Sequence, residues 1–252
     1  MRKLISATLL MLSPVALLAS EGPALEKANI DLHDQASLQR GAKYFVNYCF
    51  GCHSLQYMRY NRLAKDLGID EVTLRENLLF GDAKPGDLMT IAMRPDDGLK
   101  WFGVVPPDLT LVTRWRSTDW VYTYLKSFYL DGTRPYGVNN LLFPLVGMPH
   151  ALGDLQGEQE PVMAESHVEG AQPVVAGVKL VKQGSLSPAE YDNMVRDITA
   201  FLTYAGEPMQ LERQRIGLYV LLFLGVLFIC AYMLKKEVWK DVHGSVPASM
   251  DP

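Results

Sequence analysis

Apolar residues recur at three- and four-residue steps over residues 35–48, QASLQRGAKYFVNY, which puts Leu38, Gly41, Ala42, Phe45 and Tyr48 on one face. That spacing predicts an amphipathic helix. A longer stripe of Tyr191, Met194, Val195, Ile198, Phe201 and Leu202 predicts a second. Its start carries a capping box, with Ser187 as N-cap, Pro188 in the first helical position and Glu190 three after the cap. Gly206 and Pro208 stop it. A third, aromatic-rich helix is predicted over Asp119–Tyr129, opening at Ser117-Thr118-Asp119. The remainder is loop-heavy in Gly and Pro. Within it, VVAGVKLV in the stretch 173–182 predicts a short hairpin turning at Gly177.

The alternation of apolar and polar positions disappears between Ile216 and Leu234, nineteen residues without a charge. A helix of that length reaches ~28 Å, about one hydrocarbon thickness. A buried core helix is the alternative. The run is apolar on every side and bracketed by Arg213, Arg215, Lys235 and Lys236, which favours a membrane span. At the other end, Met1-Arg2-Lys3 is followed by a mostly apolar Leu4–Leu18, broken by Pro14, and by the small residues Ala19 and Ser20. That pattern predicts a secretory signal peptide. The expected organisation is a signal peptide over 1–20, an exported domain over 21–209, an anchor helix over 210–236 and an inner tail over 237–252.

Charge narrows the partners. Between Glu21 and Arg215 there are nineteen Lys plus Arg against twenty-five Asp plus Glu, so nucleic acid is excluded as a natural partner. From Pro135 to Val178 there is no Lys or Arg, while Asp154, Glu158, Glu160, Glu165 and Glu169 all fall there. A solvated loop and a docking face for a basic protein both fit that imbalance.

The candidate chemistry is Cys49-Phe50-Gly51-Cys52-His53, a C-x-x-C-H site for covalent attachment of one c-type haem. Two thiols add across the haem vinyl groups, and the adjoining histidine reaches the iron. A zinc half-site would need two further ligands, and the remaining cysteine, Cys230, lies inside the apolar run. No second such motif occurs, so one haem is expected. Export agrees with it, since this attachment takes place outside the bacterial cytoplasm. The fold class expected is mainly α: a cytochrome c-like haem domain with long loops and a small hairpin, plus one C-terminal transmembrane helix. For the opposite axial position, Met148 in Val146-Gly147-Met148-Pro149 and Met93 in Ala92-Met93-Arg94-Pro95 both compete, and spacing does not choose. His150 is expected to be a surface side chain.

Four segments in order, RGAKYFVNYCFGCHSLQYMRY, FGVVPPDLTLVTRWR, NNLLFPLVGMPHAL and the carboxy-terminal anchor, resemble the cytochrome c1 family, haem subunits of ubiquinol–cytochrome c oxidoreductase. The resemblance covers nearly the whole chain after residue 20. It departs in the acidic segment after Gly-Met-Pro, which is shorter than in mitochondrial relatives, and in the hairpin region. The resemblance implies Met148 as the iron ligand opposite His53 and Arg116 as the partner of a haem propionate, with Arg114 as the alternative. It also implies Pro106, Pro107, Phe143 and Val146 against the porphyrin. The function it implies is electron transfer, from a Rieske iron–sulfur protein to a soluble or tethered cytochrome c. Cytochrome b would hold the quinol chemistry in a dimeric complex of the bacterial cell membrane, with the haem domain on the periplasmic side. This chain would then carry no bond-making catalytic site. Two readings compete: a haem subunit of another membrane oxidase or reductase, and a haem enzyme or gas sensor with an open iron position.

Overall fold

The computed structural model describes residues 23–164 and 174–240. The predicted signal peptide, Glu165, Glu169 and the last twelve residues lie outside the described residues. Among the described residues the elements run α1 (Gln35–Tyr48), β1 (Leu55–Arg59), α2 (Tyr60–Leu67), α3 (Glu71–Asn77), β2 (Leu88–Met89), α4 (Pro95–Phe102), α5 (Val112–Arg116) and α6 (Thr118–Lys126). They continue with β3 (Phe128–Leu130), β4 (Val138–Asn140), α7 (Gly153–Gln156), β5 (Gly157–Ala164), β6 (Val174–Gln183), α8 (Pro188–Gly206) and α9 (Gln210–Val238). The strands form three two-stranded antiparallel sheets, β1–β2, β3–β4 and β5–β6. Helices dominate, but the sheet content exceeds the single small hairpin expected.

The chain divides into two compact units. The helical unit, Asn29–Thr118 with the chain from Asn193 onward, is organised by α1 and α8. All six residues of the predicted α8 stripe are buried. Its capping box forms as expected: Ser187 N–H donates to Glu190 Oε2 at 2.9 Å, and Glu190 N–H donates back to Ser187 Oγ at 3.4 Å. On α1 the buried face is Leu38, Gly41, Ala42, Phe45 and Val46, while Tyr48 is exposed, against expectation. Tyr48 is the last helical residue, and Val46, four after Ala42, takes the place on the core side.

The two helices touch at Gly41. A Cβ there would sit 2.1 Å from the Asp197 carbonyl oxygen and 2.7 Å from Phe201 Cβ, so only glycine permits this crossing. Beside it the Phe45 and Phe201 rings pack at 5.6 Å. Asp197, buried on α8, accepts from Ser37 Oγ at 2.6 Å and from Arg40 Nε at 2.6 Å. A buried carboxylate is tolerable only when paired in this way, and the same pairing raises the Arg40 pKa.

The hairpin unit holds residues 23–28 and Asp119–Asp192. Its leading segment lies on α6, with Glu26 N–H donating to Thr123 Oγ1 at 2.9 Å and Ala28 N–H to Asp119 Oδ1 at 3.0 Å. Two expectations fail here. The predicted helix over Asp119–Tyr129 ends at Lys126, because Asn140 Nδ2 donates to the Tyr124 carbonyl at 2.9 Å and Phe128 leaves to pair with β4. Gly177 is not a turn: β6 is one strand that pairs along its length with β5, and Gly177 stands opposite Val162.

That pairing also changes the charge picture. Glu158 faces Lys182, with a 2.6 Å ion pair, and Glu160 faces Lys179. The stretch that looks like uncompensated acid in the sequence is therefore offset, over its described part, by lysines from the opposite strand.

The final helix α9 runs 29 residues with none buried. It is the one described helix long and apolar enough to cross a membrane. Cys230 is exposed on it as a free thiol.

The crossing of α1 and α8 can be tested directly. Gly41→Ala should destabilise the protein by about 1–3 kcal/mol, the usual range for overpacking a tight contact. Chemical denaturation followed by helical circular dichroism measures it. An unchanged midpoint would show that the helices separate at no cost.

Candidate haem-attachment site

The C-x-x-C-H run is shaped by the end of α1. Cys49 is its C-cap, and the chain stays wound: Cys49 N–H and Phe50 N–H both donate to the Phe45 carbonyl, at 2.8 and 2.9 Å. Cys52 and His53 N–H groups then donate to the Cys49 carbonyl at 3.0 and 2.9 Å. Phe50, the first variable residue of the motif, is buried among Phe45, Tyr60 and Phe80, with centroids 6.0–6.4 Å away. The aromatic cluster thus fixes the turn that spaces the two thiols.

Both cysteines are free thiols. Burial pushes the Cys49 thiol pKa up to about 12 and raises that of Cys52 as well. A reactive redox dithiol has a lowered thiol pKa, so that reading loses support. Zinc fares no better: among the described residues no group of three or more His, Cys, Asp or Glu side chains converges to hold a metal ion.

His53 is buried, 8% exposed, and its Nδ1 lies 2.7 Å from the Pro107 carbonyl oxygen. A carbonyl only accepts, so Nδ1 carries the proton and the lone pair sits on Nε2. This is how a ligating histidine is oriented: the second nitrogen holds the ring and sets the tautomer. Burial lowers the His53 pKa, keeping the imidazole neutral. Two thiols on one turn and a neutral imidazole with a directed Nε2 lone pair fit a covalently attached haem.

The Pro107 carbonyl is itself placed by the next three residues of the chain. Asp108 accepts Gln56 N–H at 2.7 Å and Thr110 N–H at 2.9 Å, and Leu109 N–H donates to the Ser54 carbonyl at 3.0 Å. The P-P-D-L-T segment is thereby stapled to the strand that leaves the motif. Pro106 packs so closely on α4 that a Cβ at Gly98 would sit 2.8 Å from its Cδ and 3.3 Å from Met93 Sδ. Met93 and Pro106 therefore both pack against Gly98. Of the two arginines left open by sequence, Arg114 is engaged in an ion pair with Glu207, and Arg116 has its guanidinium carbon 4.0 Å above the Trp115 ring.

In the hairpin unit, Met148 ends a loop that side chains hold from several directions. Asn140 Oδ1 accepts Leu142 N–H at 2.9 Å, and Asn139 Oδ1 accepts Leu145 N–H at 2.9 Å. Leu145 is kept at φ +64°, a conformation unfavourable for leucine, so the loop is over-determined by its contacts. Arg134 Nη2 donates to the Leu145 and Val146 carbonyls at 2.8 and 3.3 Å, two residues before the methionine. Tyr124 O–H donates to Met148 Sδ at 3.5 Å, and burial raises its phenol pKa so that it stays a donor. Val146 is buried and Phe143 is exposed. His150 is not the surface side chain expected: it stacks on Phe128 at 4.6 Å and bonds Gln156 Oε1 through Nε2 at 2.7 Å.

Sequence reading missed Tyr124, Arg134, Asn139 and Asp108. Asp108 stood within the P-P-D-L-T motif without a role, and the Asn139-Asn140 pair before an apolar loop was a usable turn signal. Tyr124 and Arg134 act through contacts 24 and 11 or 12 residues away and leave no local signature.

A family model described as the Cytochrome C1 family matches residues 26–242. A cytochrome c1 of Allochromatium vinosum is 80% identical over 96% of this chain and the whole of that protein. A protein named ammonia monooxygenase gamma subunit, from Nitrosomonas europaea, is 43% identical over 93% of this chain and 96% of its own length. A cytochrome c1 of Rhodobacter capsulatus is 24% identical over 93% of this chain and 98% of its own.

Replacing Arg134 with Ala should free the loop before Met148. Hydrogen bonds from a charged donor contribute about 1.5–3 kcal/mol, so amide exchange across residues 145–148 should quicken about ten- to a hundredfold. Hydrogen-exchange mass spectrometry reads this out. Unchanged protection would show that the arginine holds nothing there.

Proposed function

This chain belongs to the cytochrome c1 family, and on that premise we propose that it is the electron-transfer haem subunit of a bacterial ubiquinol–cytochrome c reductase. Electrons would come from the Rieske iron–sulfur protein and leave to a soluble or tethered cytochrome c. Cytochrome b would hold the quinol chemistry in a dimeric assembly, and this chain would make and break no bonds. A c-type haem supplies one-electron chemistry, cycling its iron between two oxidation states.

The observation that carries the reading is the His53 Nδ1–H bond to the Pro107 carbonyl, 2.7 Å, which leaves the Nε2 lone pair available to an iron. Cys49 and Cys52 would fix the group covalently through thioethers. Met148 would complete the ligand pair, and such His–Met pairs raise the potential. Tyr124 supports that role, since its hydroxyl at 3.5 Å both orients the thioether and withdraws electron density from it. Arg116 would meet a propionate, with Arg114, which pairs with Glu207, as the alternative. Pro106, Phe143 and Val146 would exclude water beside the ring. Residues 1–20 would be removed as a signal peptide, α9 would anchor the chain and residues 21–209 would stand on the periplasmic side.

Met148→Ala should keep the covalent haem, because attachment rests on Cys49, Cys52 and His53. It should open the iron to carbon monoxide and lower the potential, while Met93→Ala leaves both unchanged. The opposite pattern would transfer the ligand to Met93. Tyr124→Phe removes one hydrogen bond of about 0.5–1.5 kcal/mol, so it should lower the potential by roughly 20–60 mV while the methionine stays bound. A potentiometric titration with no shift would remove Tyr124 from the account.

A further inference from the structure

The short helix α5 carries Trp115, a tryptophan 75% exposed, and its position relative to α9 is tightly specified. Helix α5 is seated on the last turn of α8. Thr113 Oγ1 donates to the Leu202 carbonyl at 3.4 Å, and a Cβ on Gly206 would lie 3.1 Å from the Thr110 carbonyl oxygen and 3.3 Å from Thr113 Oγ1. Arg114 and Arg213 grip the same carboxylate, Glu207, one from α5 and the other from the first turn of α9. Trp115 is the next residue after Arg114, on the short helix that Glu207 ties to the first turn of α9.

That turn can be set against a bilayer. Arg213 precedes the uncharged run at Ile216 by three residues, a rise of ~4.5 Å. The headgroup layer on each side of the hydrocarbon is about 5–8 Å deep. If α9 spans the membrane, α5 therefore rests within the headgroup layer. Tryptophan is the residue enriched there, having an apolar body and one polar N–H. Its surroundings also suit lipid better than protein. Arg114, Arg213 and Arg215 are exposed by half or more; the first two share Glu207 and the third pairs with Glu212, which leaves the cluster with positive charge in excess. A protein interface is depleted of charge at its core, whereas arginines beside a tryptophan match an anionic headgroup surface.

We propose that Trp115, with Arg114, Arg213 and Arg215, forms a bilayer-surface contact that takes anionic phospholipid headgroups and holds the haem-attachment unit at a fixed height above the membrane. The proposal rests on α9 being the membrane anchor. It adds a second point of attachment, since a single helix alone leaves the domain free to tilt.

The test is photocrosslinking in native membranes with the full chain carrying its haem. p-Benzoylphenylalanine replaces Trp115 in one variant, Leu227 in the middle of α9 in a second and Tyr57, exposed in the same unit, in a third. Adducts with phosphatidylglycerol or other phospholipids at position 115, absent at 57, are the expected result. Polypeptide adducts alone at 115 would overturn the proposal and give the surface to a neighbouring subunit. No adduct at 115, as at 57, would overturn it in favour of an aqueous surface. If position 227 gives neither lipid nor membrane-protein adducts, the anchor reading falls and the proposal falls with it. A probe at Leu111, next to the same short helix with Trp115 intact, decides by the same adducts if the Trp115 variant does not accumulate.

Discussion

One hydrogen bond orders the site: the His53 Nδ1–H donated to the Pro107 carbonyl at 2.7 Å. An imidazole offers two nitrogens, and a ligand role needs one of them proton-free and aimed. A carbonyl partner achieves both at once, because it cannot donate. Burial adds to this by disfavouring the charged ring. The bond requires that two distant segments stay in register, and Asp108 provides that by accepting Gln56 and Thr110 amides on either side. The motif supplies the chemistry, and the P-P-D-L-T segment supplies its geometry.

The motif in turn depends on where α1 ends, and α1 is fixed by its contact with α8. Gly41 allows the backbones to meet, Phe45 and Phe201 fill the space beside the contact, and the buried Asp197 ties Ser37 and Arg40 to the facing helix. Phe45 serves both ends of this chain of dependence. Its carbonyl receives the amides of Cys49 and Phe50, and its ring packs against α8. Movement of the helix crossing would therefore be felt at the thiols within one turn.

The parts legible from sequence were those in which a side chain's role comes from its own spacing. The α8 stripe and its Ser187–Glu190 capping box are local patterns, and both formed as expected. The C-x-x-C-H run is local in the same sense, and its turn continues the winding of α1. The illegible parts depended on partners far along the chain. Helix α6 ends where Asn140 reaches the Tyr124 carbonyl, and no pattern near Lys126 announces that. Strand β5 contains Pro161 and charged residues and reads as loop until β6 pairs with it. The same pairing brought Lys179 and Lys182 opposite Glu160 and Glu158, neighbours that a charge run read along one strand does not reveal. The supports of Met148 are of the same kind: Arg134, Asn139 and Tyr124 act across the fold.

On the proposed reading, Cys49, Cys52 and His53 form a covalent attachment site for one haem with an iron-directed histidine. Intact mass spectrometry of the protein purified from its native membranes, combined with the reduced alkaline-pyridine spectrum, tests it most directly. The expected result is a chain heavier by one haem, a spectrum of the type given when both vinyl groups are saturated, and no titratable thiol at Cys49 or Cys52. Haem that extracts into acidified organic solvent, leaving two free thiols in the motif, would contradict it.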